Sequence, residues 1–395
     1  MKQLAKIKNS LISPFARAFI KRTNKKSSAN DNVLLFCNED TMIPHLLKYY
    51  NAVKDIGCRF FLCVDTHYGN RRQRLEKARE IVKGTKIAPV AGPDLYKTKW
   101  SLIVIPDLFL PKFYDKSLAP VLYINHGSHM ISVDDGESTY AYSGISLDEK
   151  GEPISTAMLE PNRRIAETMQ KDEKWKNIVV HVGCKDCGDI LEKSRDREKY
   201  RIELGIKPDD IFVMCFGSWR RHSLFHYIDE RFFSQAQTLM KEGYAFGLSI
   251  HPKEYRVYAE GFEPKGEYVD SMRNRGFIVR DPSQDYVPYL IASDVVITDF
   301  STMSELAVLC GRKLIFSDFP KGRVWKHSMT AKLKEVSPVL YDDSDLRRLL
   351  DLAVTTDVCD LQKPFKDEIF AEPSEYNRRL IEITKRLLKS GAIVQ

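Results

Sequence analysis

The sequence predicts an α/β protein built from two doubly wound parallel sheets, and two observations carry that prediction. Short apolar or β-branched runs alternate with amphipathic helical stretches along the chain. Polar residues follow the ends of several of these runs, which is where open parallel sheets bind ligands. With 395 residues, 43% hydrophobic and 29% charged, the chain is also long enough for two complete cores.

The first half of the chain supplies apolar runs typical of buried strands and intervening stretches with helical spacing. Strands are predicted at 33–37, 60–64, 102–105, 121–124 and 178–182, and helices at 43–54, 71–82 and 165–174. The polar stretch 132–164, which carries glycines and acids, is predicted to be a mobile loop over a cleft.

The second half repeats the alternation, which predicts a second sheet of the same kind. Strands are predicted at 210–216, 244–250, 277–280, 295–297 and 313–317, and helices at 228–241, 286–292 and 304–310. We divide the chain into a basic N-terminal segment, two domains, and a C-terminal helix that can pack back on the first domain. Their bounds are 1–28, 29–180, 181–370 and 371–395.

The net charge of the chain indicates what kind of partner it binds, and its cysteines indicate the cellular compartment. A net charge of +7 and a pI near 8.8 favour anionic partners. The basic residues form no long stripe with interleaved aromatics, so we expect no nucleic-acid partner. The eight cysteines are scattered and several lie in apolar runs, which is typical of reduced thiols in a cytoplasmic protein.

Residues 1–28 differ from the rest of the chain. Apolar residues recur there at roughly helical spacing, alongside eight Lys or Arg and no acid. The segment is too charged to span a bilayer and lacks the apolar core and cleavage site of a secretory signal. It predicts either a helix that docks on an anionic membrane surface or one that is solvated or packs on a domain.

The stretch 294–311 combines a predicted strand with a predicted helix, and polar residues lie between them. Asp299, Ser301 and Thr302 stand where a helix N-terminus offers unpaired N–H donors and partial positive charge. This arrangement is typical of a phosphate site. The alternative is that Ser301 or Thr302 only caps the helix.

Other predicted strands also end in polar residues. His126 and His129 follow one strand of the first domain, Arg220 follows one of the second, and His251 another. A lone histidine is more often structural than catalytic. Several such residues at one kind of sheet edge nevertheless favour a cleft between two Rossmann-like domains.

The spacing of His181, Cys184 and Cys187 would suit metal ligands, but no second pair follows at the spacing of a zinc finger. A linker turn between the domains is the favoured interpretation of residues 183–188. We therefore expect no metal here, and we also expect no cofactor.

Four motifs together resemble one family. They are HG at 126–127, SWR at 218–220, HP at 251–252 and SDVVITDFSTMSELA at 293–307. In this order they are similar to motifs of the CDP-glycerol glycerophosphotransferases of teichoic-acid and capsule synthesis, over roughly residues 115–385. The last motif is the most specific, although relatives usually have two serines where this chain has Ser301 and Thr302.

The resemblance implies a GT-B fold, in which two Rossmann-like domains face a cleft, and metal-independent transfer of a phosphopolyol. By resemblance His126 is the general base, with His129 as the second choice, and a neutral imidazole suits removal of a proton from an alcohol. The donor site implied by the motifs comprises Ser218, Arg220, His251, Asp299, Ser301 and Thr302, with Glu305 as a secondary candidate.

The expected function is transfer of glycerol phosphate from a CDP-linked donor to a hydroxyl of a lipid-linked or polysaccharide acceptor, in cell-wall or capsule polymer synthesis. The expected location is the cytoplasmic face of the cell membrane, bound peripherally through residues 1–28. Three alternatives stay open: a GT-B glycosyltransferase using a nucleotide sugar, a sugar-nucleotide epimerase, and a non-catalytic nucleotide-binding assembly subunit.

Overall fold

The computed structural model describes residues 31–38, 42–64, 71–91, 94–107, 119–125, 146–148, 150–219, 222–255, 266–319, 324–356, 359–369 and 373–392. The strands of this part of the chain are β1 Asn32–Cys37, β2 Arg59–Val64, β3 Ile87–Pro89, β4 Leu102–Ile105, β5 Val121–Tyr123, β6 Ala157–Glu160, β7 Val179–His181, β8 Ile211–Phe216, β9 Tyr244–Ser249, β10 Ile278–Val279, β11 Val295–Thr298, β12 Lys313–Ser317 and β13 Val339–Leu340.

Helices alternate with these strands. They are α1 Ile43–Val53, α2 Arg71–Ile81, α3 Asp94–Lys97, α4 Arg163–Met169, α5 Lys185–Lys193, α6 Arg197–Glu203, α7 Leu224–Tyr227, α8 Glu230–Met240, α9 Gly266–Asn274, α10 Val287–Ala292, α11 Met303–Leu309, α12 Met329–Val336, α13 Leu346–Thr355, α14 Cys359–Ile369 and α15 Pro373–Ser390.

The chain divides into two compact units, each built around one parallel sheet. The sheet of the first unit has the order β3-β2-β1-β4-β5-β6-β7, and that of the second has the order β10-β9-β8-β11-β12-β13. Every strand pair in both sheets is parallel. The predicted pair of doubly wound α/β domains is therefore confirmed.

Strand β1 illustrates why helices cover both faces of the first sheet. All six of its residues are buried. Val33 and Leu35 belong to one apolar cluster, whereas Leu34 and Phe36 belong to another. Successive side chains of a strand point to opposite faces, so an uninterrupted apolar strand requires apolar cover on each side.

The C-terminal helix α15 belongs to the first unit. Its residues Leu380, Ile383 and Leu387 are buried in the apolar cluster that includes residues of α1. Within that contact the hydroxyls of Tyr49 and Thr384 are hydrogen-bonded at 2.9 Å. Burial of three large apolar side chains, each worth about 1.5–3 kcal/mol, gives this last helix a stable position.

In the second unit a partly buried ionic cluster anchors the start of β11. The Asp294 carboxylate accepts from Nη1 of Arg201 at 3.0 Å and from the backbone N–H of Phe212 at 2.9 Å. Arg197 also donates to it. Because Arg201 is only 3% exposed, the carboxylate compensates a charge that would be costly to bury alone.

Two predictions of local structure are wrong. Strand β6 lies within the stretch 132–164 that we predicted to be a loop. It ends in Glu160, a charged residue that is fully buried and whose Oε1 accepts from the backbone N–H of Asn162. The predicted linker turn at 183–188 does contain the boundary between the two units, which falls between Cys184 and Lys185. From Lys185 onward, however, it is the beginning of helix α5 and not a turn, and Cys187 and Ile190 are buried on the inner side of that helix.

The predicted N-terminal helix at 1–28 lies outside the described residues. Within the described ranges, none of the helices has both the length and the apolar character needed to cross a bilayer.

Candidate functional site

The structure describes six of the nine residues predicted for the site, and all six lie in the second unit. They are Ser218, His251, Asp299, Ser301, Thr302 and Glu305. The predicted base His126, its second choice His129 and the predicted phosphate ligand Arg220 lie outside the described residues.

Three neighbouring strands bring the six residues to one edge of the second sheet. Phe216 at the end of β8 pairs with Ser249 at the end of β9 and with Thr298 at the end of β11. The segments that follow these ends therefore leave the sheet side by side. This carboxyl edge is the ligand-binding edge of open α/β sheets.

Asp299 organises the segments that leave β8 and β11. Its Oδ2 accepts from the backbone N–H of Ser218 at 2.8 Å, from the Ser218 hydroxyl at 3.0 Å, and from the backbone N–H of Leu224 at 2.7 Å. The residue is fully buried. One carboxylate thus ties the segment after β8 and the first residue of α7 to the end of β11.

Burial also sets the protonation of Asp299. Desolvation raises the pKa of this carboxyl to about 6, while the N–H groups of Ser218, Leu224 and Ser301 and the Ser218 hydroxyl act in the opposite direction. At neutral pH the carboxylate is therefore ionised, and its Oδ2 accepts from both donors of Ser218 and from the N–H of Leu224. Its enclosed position suits the support of a binding loop.

Gly217 allows the segment after β8 to pass close to helix α7. A Cβ atom at this position would lie 2.4 Å from Cδ2 of the buried Phe225. Any larger residue would displace that ring, so the tight turn toward Ser218 requires a glycine here.

Ser301 and Thr302 precede helix α11, as predicted. The Ser301 hydroxyl accepts from the backbone N–H of Met303 at 3.3 Å, so Ser301 does take part in capping the helix. Thr302 makes no such side-chain capping bond. Glu305 lies in the first turn of the helix and is only 3% exposed. Ser301 and Thr302 are both partly exposed, so their hydroxyls lie where a ligand of this edge can reach them.

His251 follows β9 and faces the segment after β8. Its imidazole stacks on the indole of Trp219, with ring centroids 6.3 Å apart and an interplanar angle of 26°. Its carbonyl oxygen accepts from the backbone N–H of Glu254 at 2.9 Å. The HP segment therefore turns back immediately as the short 3₁₀ helix Pro252–Tyr255.

Arg280 is a further cation at this edge that the sequence interpretation missed. The residue is 6% exposed, and its Nε donates to the Ser249 hydroxyl at 2.7 Å. Its Nη1 donates to the carbonyls of Asp281 and Gln284. Among the described residues no carboxylate lies within ion-pair distance of it. Its position as the last residue of the strand predicted at 277–280 was the available signal, and the structure ends that strand one residue earlier, at Val279.

Within the described ranges, no group of three His, Cys, Asp or Glu residues could hold a metal ion. His181, which we had weighed as a ligand with Cys184 and Cys187, has a lowered pKa. Burial is the main cause, followed by the nearby positive charges of Arg163 and Arg379.

No protein-family model matches the sequence, and no curated protein sequence matches it either. Among solved structures, a variant of the wall teichoic acid polymerase TagF soaked with CDPG aligns with 99% of this chain and 97% of its own. The TM-score is 0.60 and the sequence identity 14%. Another TagF structure also aligns with 99% of this chain and 97% of its own, with a TM-score of 0.59 and 13% identity. The chain therefore has the GT-B-like fold of TagF, with two parallel-sheet α/β units.

Proposed function

We propose that this protein is a transferase that moves a phosphopolyol, glycerol phosphate, from a CDP-linked donor to a hydroxyl group of a lipid-linked or polysaccharide acceptor in cell-wall or capsule polymer synthesis. The observation that carries the proposal is the loop organised by Asp299, which places Ser218, Ser301 and Thr302 at the carboxyl edge of the second sheet. The fold shared with TagF over nearly the whole chain supports it.

The donor diphosphate fits the chemistry of this edge. The hydroxyls of Ser301 and Thr302 and the backbone N–H groups around them are neutral donors, and His251 adds a ring nitrogen. Arg220 is proposed to supply charge-assisted bonds to the phosphates. Arg280 adds a buried positive charge two strands from β8. This charge makes the electrostatic potential at the edge more positive and so favours the binding of an anion.

The chemical step needs a base for the acceptor and stabilisation of the departing CMP. We assign the base to His126, which would take the proton from the acceptor hydroxyl as its oxygen attacks the β-phosphorus of the donor. The bond from that phosphorus to the CMP oxygen then breaks. Positioning and electrostatics supply most of the acceleration in phosphoryl transfer, and we propose that protein donors serve here without a metal ion.

We also propose that residues 1–28 hold the protein at the cytoplasmic face of the cell membrane, where a lipid-linked acceptor is found. Eight basic residues without an acid, together with an apolar stripe, would attach it peripherally to anionic lipid.

A ligand screen followed by product analysis tests the proposed reaction. CDP-glycerol, CDP-ribitol, UDP-N-acetylglucosamine and UDP-glucose are compared by thermal shift, since a ligand at 100 times its Kd stabilises the folded state by about 2.7 kcal/mol. We expect stabilisation by the CDP-linked polyols, and mass spectrometry of the acceptor should show the added phosphopolyol. Stabilisation by UDP-sugars alone, or a product that carries a sugar, would contradict the proposal.

A further inference from the structure

Three segments at the ligand-binding edge are joined by contacts that form a closed ring. The first contacts of this ring are those of Asp299, which holds Ser218 after β8 and Leu224 at the start of α7. The ring runs from Leu224 along α7 to His226, and from Ser218 to the next residue, Trp219. It therefore has two branches, which lead toward the segment after β9.

The first branch ends in a pair that neither the family motifs nor the proposed chemistry uses. Nε2 of His226 lies 3.3 Å from both carboxylate oxygens of Glu254. The Glu254 side chain is 1% exposed and that of His226 is 11% exposed. The two side chains therefore form a hydrogen bond between an imidazole nitrogen and a carboxyl group.

The second branch reaches the same segment through stacked rings. Trp219 stacks on His251, and the His251 carbonyl accepts from the Glu254 backbone N–H. Both branches thus meet in the short 3₁₀ helix that follows His251. A contact on each side restrains the backbone and the ring of His251.

We propose that His226 and Glu254 are positioning residues that fix His251 for its bond to the donor phosphate. The proposal rests on the proposed function, because it assigns a purpose to the orientation of His251. Two hydrogen bonds of Glu254 support this proposal. Its backbone N–H donates to the His251 carbonyl, and its carboxyl group bonds to His226 of α7. A buried carboxylate needs such a partner, so the pair resists separation and keeps His251 in register with Ser218.

The test measures donor binding and turnover separately. We expect His226→Ala and Glu254→Ala to raise the Kd and KM for CDP-glycerol about tenfold or more, with kcat at saturating donor nearly unchanged. Glu254→Gln keeps an oxygen that can accept from His226 and should recover most of the affinity. The double alanine variant should lose no more than either single variant, since both break the same contact.

Two control variants separate positioning from general destabilisation. Glu230→Gln changes an exposed glutamate paired with Arg275 and should leave the Kd unchanged. Asp294→Asn weakens the ionic cluster around the buried Arg201 and should lower the melting temperature with no change of Kd. Should the alanine variants not fold, His226→Phe carries the test, because it keeps a ring of similar size and removes the donor to Glu254.

A measurement that needs no ligand distinguishes failure of the proposed function from failure of the positioning role of His226 and Glu254. The ring resonances of His251, followed by nuclear magnetic resonance in the free protein, should shift or broaden in His226→Phe, which removes the donor, but not in Glu254→Gln or Glu230→Gln. If CDP-glycerol does not bind, the proposed function is wrong while this signal still decides the positioning claim. Unchanged His251 resonances together with an unchanged Kd would overturn the inference.

Discussion

The backbone N–H of Leu224 donates to the Asp299 carboxylate at 2.7 Å, although 75 residues separate them in the sequence. This bond joins the first turn of α7 to the end of β11. Together with the two bonds from Ser218, it makes one buried acid responsible for the shape of the candidate donor site.

The pH dependence of stability should reveal Asp299. Because burial raises the pKa of Asp299 from 3.8 to about 6, the folded protein holds this proton more tightly than the unfolded chain does. The stabilising contribution is therefore present below pH 4, is lost as the pH rises to about 6, and then stays constant. The change over this window amounts to about 3 kcal/mol.

Denaturant unfolding from pH 4 to pH 7 measures this contribution, with Asp299→Asn as the comparison. The variant lacks the titrating proton, so the free energy of unfolding of the natural chain should fall relative to that of the variant over this range. Parallel curves for the two proteins would show that Asp299 is not the group responsible.

Donor affinity should depend on the residues that precede α11. Thr302→Val keeps the size of the side chain and removes a hydroxyl that makes no capping bond, so we expect weaker donor binding at little cost in stability. Ser301→Ala should weaken both donor binding and stability, because it also removes the bond to Met303, worth about 0.5–1.5 kcal/mol. Isothermal titration with CDP-glycerol and thermal unfolding measure the two quantities. An unchanged Kd in both variants would exclude these residues from the donor site.

The proposed base should affect turnover alone. We expect His126→Ala to lower kcat by about 10² to 10⁴ with nearly unchanged donor affinity, as is usual when a general base is removed. His129→Ala tests the second choice for the base and should retain most of the activity. Loss of donor binding in His126→Ala would instead place this residue in the donor site.

Activity should also survive chelators, and strong dependence on Mg²⁺ would contradict the proposed metal-free step.

The contact between α15 and α1 should be measurable as a coupling energy. Tyr49→Phe leaves the buried Thr384 hydroxyl without its partner and should cost about 1–3 kcal/mol of stability. Thr384→Val should cost a similar amount, and the double variant should cost less than the sum, since both partners are then apolar. Additive losses in a double-mutant cycle would mean that this bond contributes nothing to the packing of the helix.

Residues 1–28 should control membrane attachment. A chain that begins at Ser28 should fold and act on a soluble acceptor analogue, yet fail to sediment with vesicles containing phosphatidylglycerol. Each basic residue near such a surface contributes about 1 kcal/mol, and the attraction weakens with salt. Equal sedimentation of the shortened and full chains would exclude the segment as the anchor, and failure of the shortened chain to fold would indicate that the segment packs on a domain.

Much of the architecture follows from local sequence pattern alone. The runs that form β1 and β11 are mostly apolar, and this composition is typical of a strand that is buried on both faces. The polar residues at 299, 301 and 302 come directly after such a run, so their place at the carboxyl edge of the sheet was predictable. Both features depend on neighbours within a few residues.

Only the tertiary structure decided the features that join distant segments. Strand β6 was missed because it is short and ends in the charged residue Glu160, which is buried only because β6 lies between β5 and β7 in the sheet. The bond between His226 and Glu254 and the stacking of Trp219 on His251 likewise depend on β8 and β9 being neighbours. The periodicity of a sequence indicates which side of a helix or strand is buried. The order of the strands in the sheet decides which residues that side contacts. These contacts could therefore be found only in the folded chain.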